Sequence, residues 1–124
     1  MQIETIKEKR KNTLDKIDIA KEEVRFEQLL LKENLEYINK VLYQINKLKK
    51  IEYCFNYLIK EWSNHNYYED ELDKAKKRLN DFSHLYENAI LRRKLLKSKL
   101  KDAQRKFSKK QKKIIRFDKK YYNN

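Results

Sequence analysis

The residues that most often bind metals or act as nucleophiles are few in this chain and stand apart from one another. They are two histidines, His65 and His84, and one cysteine, Cys54. A metal site needs several His, Cys or carboxylate ligands at characteristic spacings, which neither histidine has. We interpret His65 as a turn residue and His84 as a helix-surface residue. Cys54 has no histidine on its helical face to activate the thiol, so we interpret it as a small buried or half-buried apolar residue.

The chain also lacks residue patterns typical of phosphate binding or acid–base catalysis. The chain has no glycine, so it cannot form a glycine-rich phosphate loop. Its 19 carboxylates lie among the cations of predicted helix faces, where surface ion pairs are their simplest role. We therefore expect a protein that is not an enzyme, with no catalytic residue, metal, cofactor or small-molecule substrate.

Positive charge is concentrated near the end of the sequence. From Arg92 to Lys120 there are fifteen Lys or Arg and two acids, Asp102 and Asp118, a net charge of +13. The whole chain also carries +13, so the remaining residues sum to zero. A helix dipole favours only a few cations in the last turn. The excess indicates a polyanionic partner, either an acidic protein cavity or nucleic acid phosphates.

The composition favours long helices in a single domain. The 124 residues include no Gly and no Pro, which supply left-handed caps, tight hairpin turns and helix breaks. With 40% hydrophobic and 41% charged residues, a thick core is not expected. No signal-like apolar run follows Met1, and the single cysteine fits a reducing compartment. We expect an all-α, cytoplasmic protein.

Apolar residues recur at spacings of three and four in two long stripes, the pattern of coiled-coil helices. The first stripe runs from Ile3 to Trp62 and includes Leu35, and the second runs from Leu72 to Tyr121 with polar interruptions at Arg93 and Lys110. Ser63 to Asn66 lie between them as a turn-favouring cluster. We predict a long antiparallel two-helix coiled-coil hairpin, with helix 1 at about 3–62, a turn at about 63–66 and helix 2 at about 67–120. We call the contact between the helices the seam.

Details of this hairpin are also predicted. Gaps near Arg10, Gln28 and Glu52 indicate that the register of the first stripe slips. The acidic residues from Glu69 to Asp73 are expected to start the second helix, where they complement its dipole. A break near Asn80-Asp81 or Leu85 would give a shorter three-helix bundle instead. Apolar residues off the stripes indicate a partner or a third helical layer; examples are Leu29, Leu30, Val41, Tyr43, Tyr53, Tyr57, Ile90 and Leu95.

The sequence around the turn resembles one known family. Trp62-x-Asn64, Tyr68 and Leu72-Asp73-Lys74-Ala75 resemble the W-x-N-x-x-x-F-x-x-x-L-E-K-A stretch of FliJ, the central stalk of the flagellar export ATPase. Ile51-Glu52-Tyr53-x-x-x-Tyr57 is similar to an I-D-Y-x-x-x-Y segment late in the first helix of that protein. YscO-type stalks of type III secretion systems have the same hairpin. The glycine-containing connection that precedes the Trp in flagellar members is missing here.

The resemblance implies a non-enzymatic stalk, similar to the γ subunit of rotary ATPases and peripheral to the membrane export apparatus. Such a stalk inserts its termini into a hexameric export ATPase and links that ring to the cytoplasmic domain of the export gate, with export chaperones as further partners. The family's gate-binding stripe carries over to Tyr68, Leu72, Ala75 and Leu79, although flagellar members have His at the last position. The same four residues begin the predicted seam, where they would pack against Phe55, Leu58 and Trp62.

The ring contact that the resemblance implies involves the basic end of the chain. We interpret Arg105, Lys109, Lys112 and Arg116 as covering several helix faces, as an enclosing acidic partner requires, with Ile115 and Phe117 as desolvated contacts. The alternative is a helical nucleic-acid-binding protein that uses the run from Arg92 to Lys120. A membrane-surface helix is a third hypothesis, although the apolar stripe is narrow for it.

Overall fold

The computed structural model of the chain describes residues 3–61 and 65–122 and places them in two long helices. Helix α1 spans Ile3–Glu61, and helix α2 spans His65–Tyr121. The helices pack against each other, and the described ranges contain no strand. Phe55 faces Tyr68 across the seam, with ring centroids 6.3 Å apart, while Asn34 contacts Ala89, so the helices run antiparallel. The predicted all-α helical hairpin is confirmed.

The predicted turn falls partly outside the described residues. Trp62, Ser63 and Asn64 are not among them. His65 and Asn66, which were predicted to lie in the turn, are the first residues of α2. Because α2 begins at His65, it has no acid in its first turn, and the predicted match between first-turn acids and the helix dipole is wrong. The last turn does carry the expected cations, Lys119 and Lys120.

Helix α2 continues without interruption past both positions where a break was considered. Asn80-Asp81 and Leu85 lie inside it, about 15 to 20 residues from its start and about 36 to 41 from its end. The three-helix alternative is therefore excluded. The hairpin has one seam instead of a layered core, so tertiary stability depends on the residues that line this seam.

The seam residues of α1 alternate between spacings of three and four without a slip. Every member of one series is buried or half-buried: Ile6, Arg10, Thr13, Ile17, Ala20, Val24, Glu27, Leu31, Asn34, Ile38, Val41, Ile45, Leu48, Glu52, Phe55 and Ile59. The prediction that the register slips near Arg10, Gln28 and Glu52 is wrong. Polar residues simply occupy seam positions there, and a strict heptad repeat passes through Arg10, Glu27 and Glu52.

Helix α2 contributes a matching heptad series to the seam. Its members are buried or half-buried: Tyr68, Leu72, Ala75, Leu79, Phe82, Tyr86, Ala89, Arg93, Leu96, Leu100, Ala103, Phe107, Lys110, Ile114, Phe117 and Tyr121. The polar members, Arg93 and Lys110, are the interruptions that the sequence pattern already showed. Long Lys and Arg side chains can cover apolar surface with their stems while the charged group reaches water. The heptad repeat therefore continues through these two positions although they are polar.

The packing of the hairpin divides into two units. The turn unit is Glu33–Arg93, and the terminal unit combines Met1–Lys32 with Lys94–Asn124. In the turn unit the most buried apolar residues are Ile38, Val41, Ile45, Leu48, Leu72, Ala75 and Ala89. In the terminal unit they are Ala20, Leu96 and Ala103. Since the other two are alanines, Leu96 buries the most apolar surface of these three residues.

A buried polar residue lies in the seam of the turn unit. The Asn34 side chain is 6% exposed, and its Nδ2 donates a hydrogen bond to the Ala89 carbonyl oxygen over 3.2 Å. The methyl side chain of Ala89 allows the backbone of α2 to come this close. The Oδ1 atom of Asn34 has no hydrogen-bond partner. A buried Asn in a coiled coil costs stability but favours one register, and here the register places Nδ2 against a carbonyl oxygen that the small Ala89 side chain leaves accessible.

Candidate partner-binding surfaces

Most cations on α2 of the terminal unit form two rows. The outer row lies on the far side of the helix from the seam residues Leu96 and Ala103. All its members are exposed: Lys94, Lys101, Arg105, Lys109, Lys112, Arg116 and Lys119. The spacings from Arg105 to Arg116 are four, three and four, so these four predicted ring-binding cations share one face. The interpretation that they cover several faces is wrong.

A second row covers one side of the same helix. We call it the side row: Lys99, Lys106, Lys113 and Lys120, which recur every seventh residue and are exposed. The corresponding positions on the opposite side are Lys97, Gln104, Gln111 and Asp118, whose charges cancel. The positive surface therefore spans the outer face and one side of α2, and the other side is neutral. The seven-residue spacing of these lysines was visible in the sequence. The position of the seam is needed to show which side of the helix the lysines cover.

The two apolar residues predicted to contact the ring have different environments. Ile115 is 58% exposed and lies next to Arg116 of the outer row. Phe117 belongs to the seam series and is half-buried, with its ring 4.7 Å from that of Tyr121. A partner on the outer face can therefore contact Ile115 directly, whereas Phe117 helps to hold the helix pair together.

An ion pair joins the two helices near the ends of the chain. Arg10 Nε donates to Asp118 Oδ1 over 2.9 Å, and Arg10 Nη2 donates to Asp118 Oδ2 over 3.3 Å. The Arg10 guanidinium also lies 5.9 Å from the centre of the Tyr122 ring. The hydrogen bonds from Arg10 hold the pKa of the Asp118 carboxyl below its usual value, although burial acts against them. This two-point contact fixes the pairing of the helices at that end.

Replacing Arg10 with Ala should raise the pKa of Asp118 towards the ordinary carboxyl value, because the hydrogen bonds that lower it are lost. Titration of the Asp118 carboxyl carbon by NMR measures this shift. Lys9→Ala, which removes an exposed neighbouring cation, should leave the pKa of Asp118 nearly unchanged. Since the folded-state pKa is lowered, the pair stabilises the fold above about pH 4 and less as pH falls below that. An equal shift in both variants would contradict this assignment.

The four residues carried over as gate-binding start the seam of α2. Leu72 and Ala75 are 7% and 5% exposed, so they pack against α1. Tyr68 and Leu79 are half-buried, and the Tyr68 ring lies 5.5 Å from the Tyr67 ring in an edge-on arrangement. Of the predicted packing partners, Phe55 and Leu58 are half-buried, and Trp62 lies outside the described residues. Tyr68 and Leu79 are thus the two of the four that a partner can reach with the helices closed.

Residues with potential for metal or thiol chemistry are isolated in the described part of the chain. His84 is exposed, and its Nδ1 lies 3.8 Å from Glu87 Oε2. No group of three or more His, Cys, Asp or Glu that could hold a metal ion occurs within residues 3–61 and 65–122. Cys54 is exposed, so its interpretation as buried or half-buried is wrong.

None of the described helices is apolar over a stretch long enough to cross a membrane.

Comparisons with known proteins add no relative to this picture. No family model, curated protein or solved structure matches the chain. The likeness to export-ATPase stalks therefore depends on the residues from Ile51 to Tyr57 and from Trp62 to Ala75.

Proposed function

We propose that this chain is a non-enzymatic stalk of a flagellar or type III export ATPase, and that its terminal unit contacts the ATPase ring. The observation that carries the proposal is the positive surface formed by the outer and side rows in the unit that contains both ends of the chain. A helix pair that presents cations over most of one helix suits an acidic sleeve around it. The resemblance of the turn region to export-ATPase stalks implies that this sleeve is the hexameric ring of an export ATPase.

Long-range attraction would bring the stalk to the ring. Charges of opposite sign steer association and fix orientation more than they add affinity. The neutral side of α2, with Gln104 and Gln111, gives the terminal unit an uneven charge distribution, so one orientation in an acidic sleeve is preferred. Ile115 then supplies an apolar contact within the charged surface. The stalk would reach the export gate through Tyr68 and Leu79, the accessible members of the carried-over stripe, with export chaperones as further partners.

Reversal of charge in the outer row tests the ring contact. Arg105→Glu, Lys109→Glu and Lys112→Glu together should abolish stimulation of the export ATPase and slow association at least tenfold, because attraction becomes repulsion. The control is Lys40→Glu, Lys49→Glu and Lys76→Glu, three exposed cations of the turn unit with the same change in net charge. ATPase rate and stopped-flow association, each measured from low to high salt, are the readouts. Normal stimulation by the outer-row variant would refute the proposal.

Nucleic acid binding is the second candidate, and the alignment of the outer row favours it. The row runs along one face of α2 from Lys94 to Lys119, about 37 Å at 1.5 Å per residue. A straight cationic row suits a phosphate backbone. If this function is correct, duplex DNA binding weakens steeply with salt. The triple outer-row variant should then make the negative slope of log K against log salt shallower by about 2.7, the value for three lost phosphate contacts. A wild-type chain that binds DNA in this way and leaves the ATPase unaffected would favour this candidate.

A further inference from the structure

An open groove lies between the helices of the turn unit. It has a volume of about 780 Å³ and an apolar floor formed by Leu48, Ile51, Phe55, Leu58 and Ala75. Five cations surround this floor: Lys47, Lys50, Lys74, Lys77 and Arg78. The acid that lines it, Glu71, pairs with Lys74 over 3.2 Å and therefore leaves an excess of positive charge. The groove suits an apolar helix face flanked by carboxylates.

This chain carries a face of that chemistry on α1 of the terminal unit. Ile19 and Phe26 are 60% and 58% exposed, and between them lie Glu22 and Glu23. Asp18 borders the same surface, and Asp15 is one turn earlier on it. We call residues 15–26 on this side the acidic face. Glu22 has a cation beside it, since Arg25 Nη1 lies 2.9 Å from Glu22 Oε1, and the exposed Lys16 lies one turn before Ile19. The four acids outnumber these two cations.

Three exposed apolar residues of α2 have the wrong surroundings for this groove. Leu91 and Leu95 are 62% and 56% exposed, but they flank the cations Arg92 and Lys94. Ile115 lies within the outer row. A cationic groove repels such surfaces, because like charges brought together cost free energy. The acidic face combines exposed apolar side chains with the opposite charge.

We propose that the turn-unit groove of one copy binds the acidic face of a second copy of this chain. Ile19 and Phe26 enter the apolar floor, and Glu22 and Glu23 meet cations of the rim, with Lys74 and Lys77 on the α2 side. The net charge of +13 opposes association at long range. At about 0.15 M salt the screening length is about 8 Å, so distant repulsion is damped while contacting charges still attract. This contact uses surfaces distinct from the outer row, so it is independent of the proposed ring contact.

Two full-length variants with reversed charges test the contact. The face variant is Glu22→Lys with Glu23→Lys, and the groove variant is Lys74→Glu with Lys77→Glu. In sedimentation velocity at rising concentration, the wild type should self-associate, and each variant alone should associate at least tenfold more weakly. An equal mixture of the two variants should recover association, because the reversed face matches the reversed groove and the unchanged surfaces still match each other. Circular dichroism checks that every variant remains helical.

Cys54 provides a second readout, because it lines the groove and is the single cysteine of the chain. Reaction of its thiol with a maleimide should slow severalfold as the wild-type concentration rises, and should not slow for either variant alone. The matched control is Lys49→Glu with Lys76→Glu, which changes exposed neighbours that do not line the groove. It should behave as wild type. A wild type that stays monomeric, or a mixture that fails to recover association, overturns the proposal. The ATPase assay of the outer-row variant tests the ring contact and does not bear on this contact between copies.

Discussion

Replacing Leu96 with Ala is expected to lower the free energy of unfolding by about 2–5 kcal/mol. Leu96 is 3% exposed and lies in the seam of the terminal unit, where the other most buried apolar residues are Ala20 and Ala103. Loss of its side chain removes apolar burial and leaves a cavity that two rigid helices fill poorly.

The adjacent residue gives a matched control for that substitution. Leu95 is 56% exposed, and Leu95→Ala should change the free energy of unfolding by no more than about 0.5 kcal/mol. Both changes are identical in chemistry and nearly identical in effect on helix propensity. Urea unfolding followed by circular dichroism measures the difference. Similar losses for Leu95→Ala and Leu96→Ala would show that the seam of α2 is misplaced.

Much of the fold was predictable because this composition leaves few alternatives. Without Gly and Pro, the chain lacks the residues that end helices, so two stripes of apolar residues and one turn-favouring cluster predict a hairpin. The stripe of α2 was predicted in full, from Leu72 to Tyr121, with its polar interruptions. Leu95 was correctly placed off the stripe and Leu96 on it.

The seam of α1 was predicted less well, because apolar type was taken as the sign of burial. Leu35 was placed on the stripe but is 44% exposed, whereas Val41 was placed off it but is 4% exposed. Asn34 occupies the seam position next to Leu35, with a hydrogen bond to α2. The pattern of one helix alone does not show that a polar residue will be buried with a hydrogen bond to the partner helix. The spacing from Asn34 through Ile38 and Val41 was the available signal.

The candidate surfaces were predictable in charge but not in direction. The run from Arg92 to Lys120 was evident in the sequence, yet its division into an outer row and a side row requires the direction of the seam. The groove that Cys54 lines was missed for the same reason, because its floor combines residues from both helices. The position of such surfaces depends on how two distant segments pair, and the periodicity of one helix does not predict that pairing.

Asn34→Asp is expected to lower the free energy of unfolding by about 3–5 kcal/mol at neutral pH, the range for an uncompensated buried charge. The Nδ2 donor to the Ala89 carbonyl is lost, and a carboxylate oxygen faces that carbonyl oxygen in its place.

Asn34→Leu should instead raise stability by about 1 kcal/mol or more, since it removes the unpaired Oδ1 atom. It should also weaken the preference for one register, which cross-helix disulfide trapping would detect.

The Asp substitution should depend on pH in a defined direction. Burial raises the pKa of a carboxyl in the folded state above its unfolded value, so the unfolded chain loses the proton first. Stability of Asn34→Asp should therefore fall as pH rises above about 4, and be recovered below it, where the protonated acid can donate to the Ala89 carbonyl. Asn39→Asp, at an exposed position of α1, should show neither the loss nor this pH dependence. An equal effect at both positions would mean that Asn34 is not in the seam.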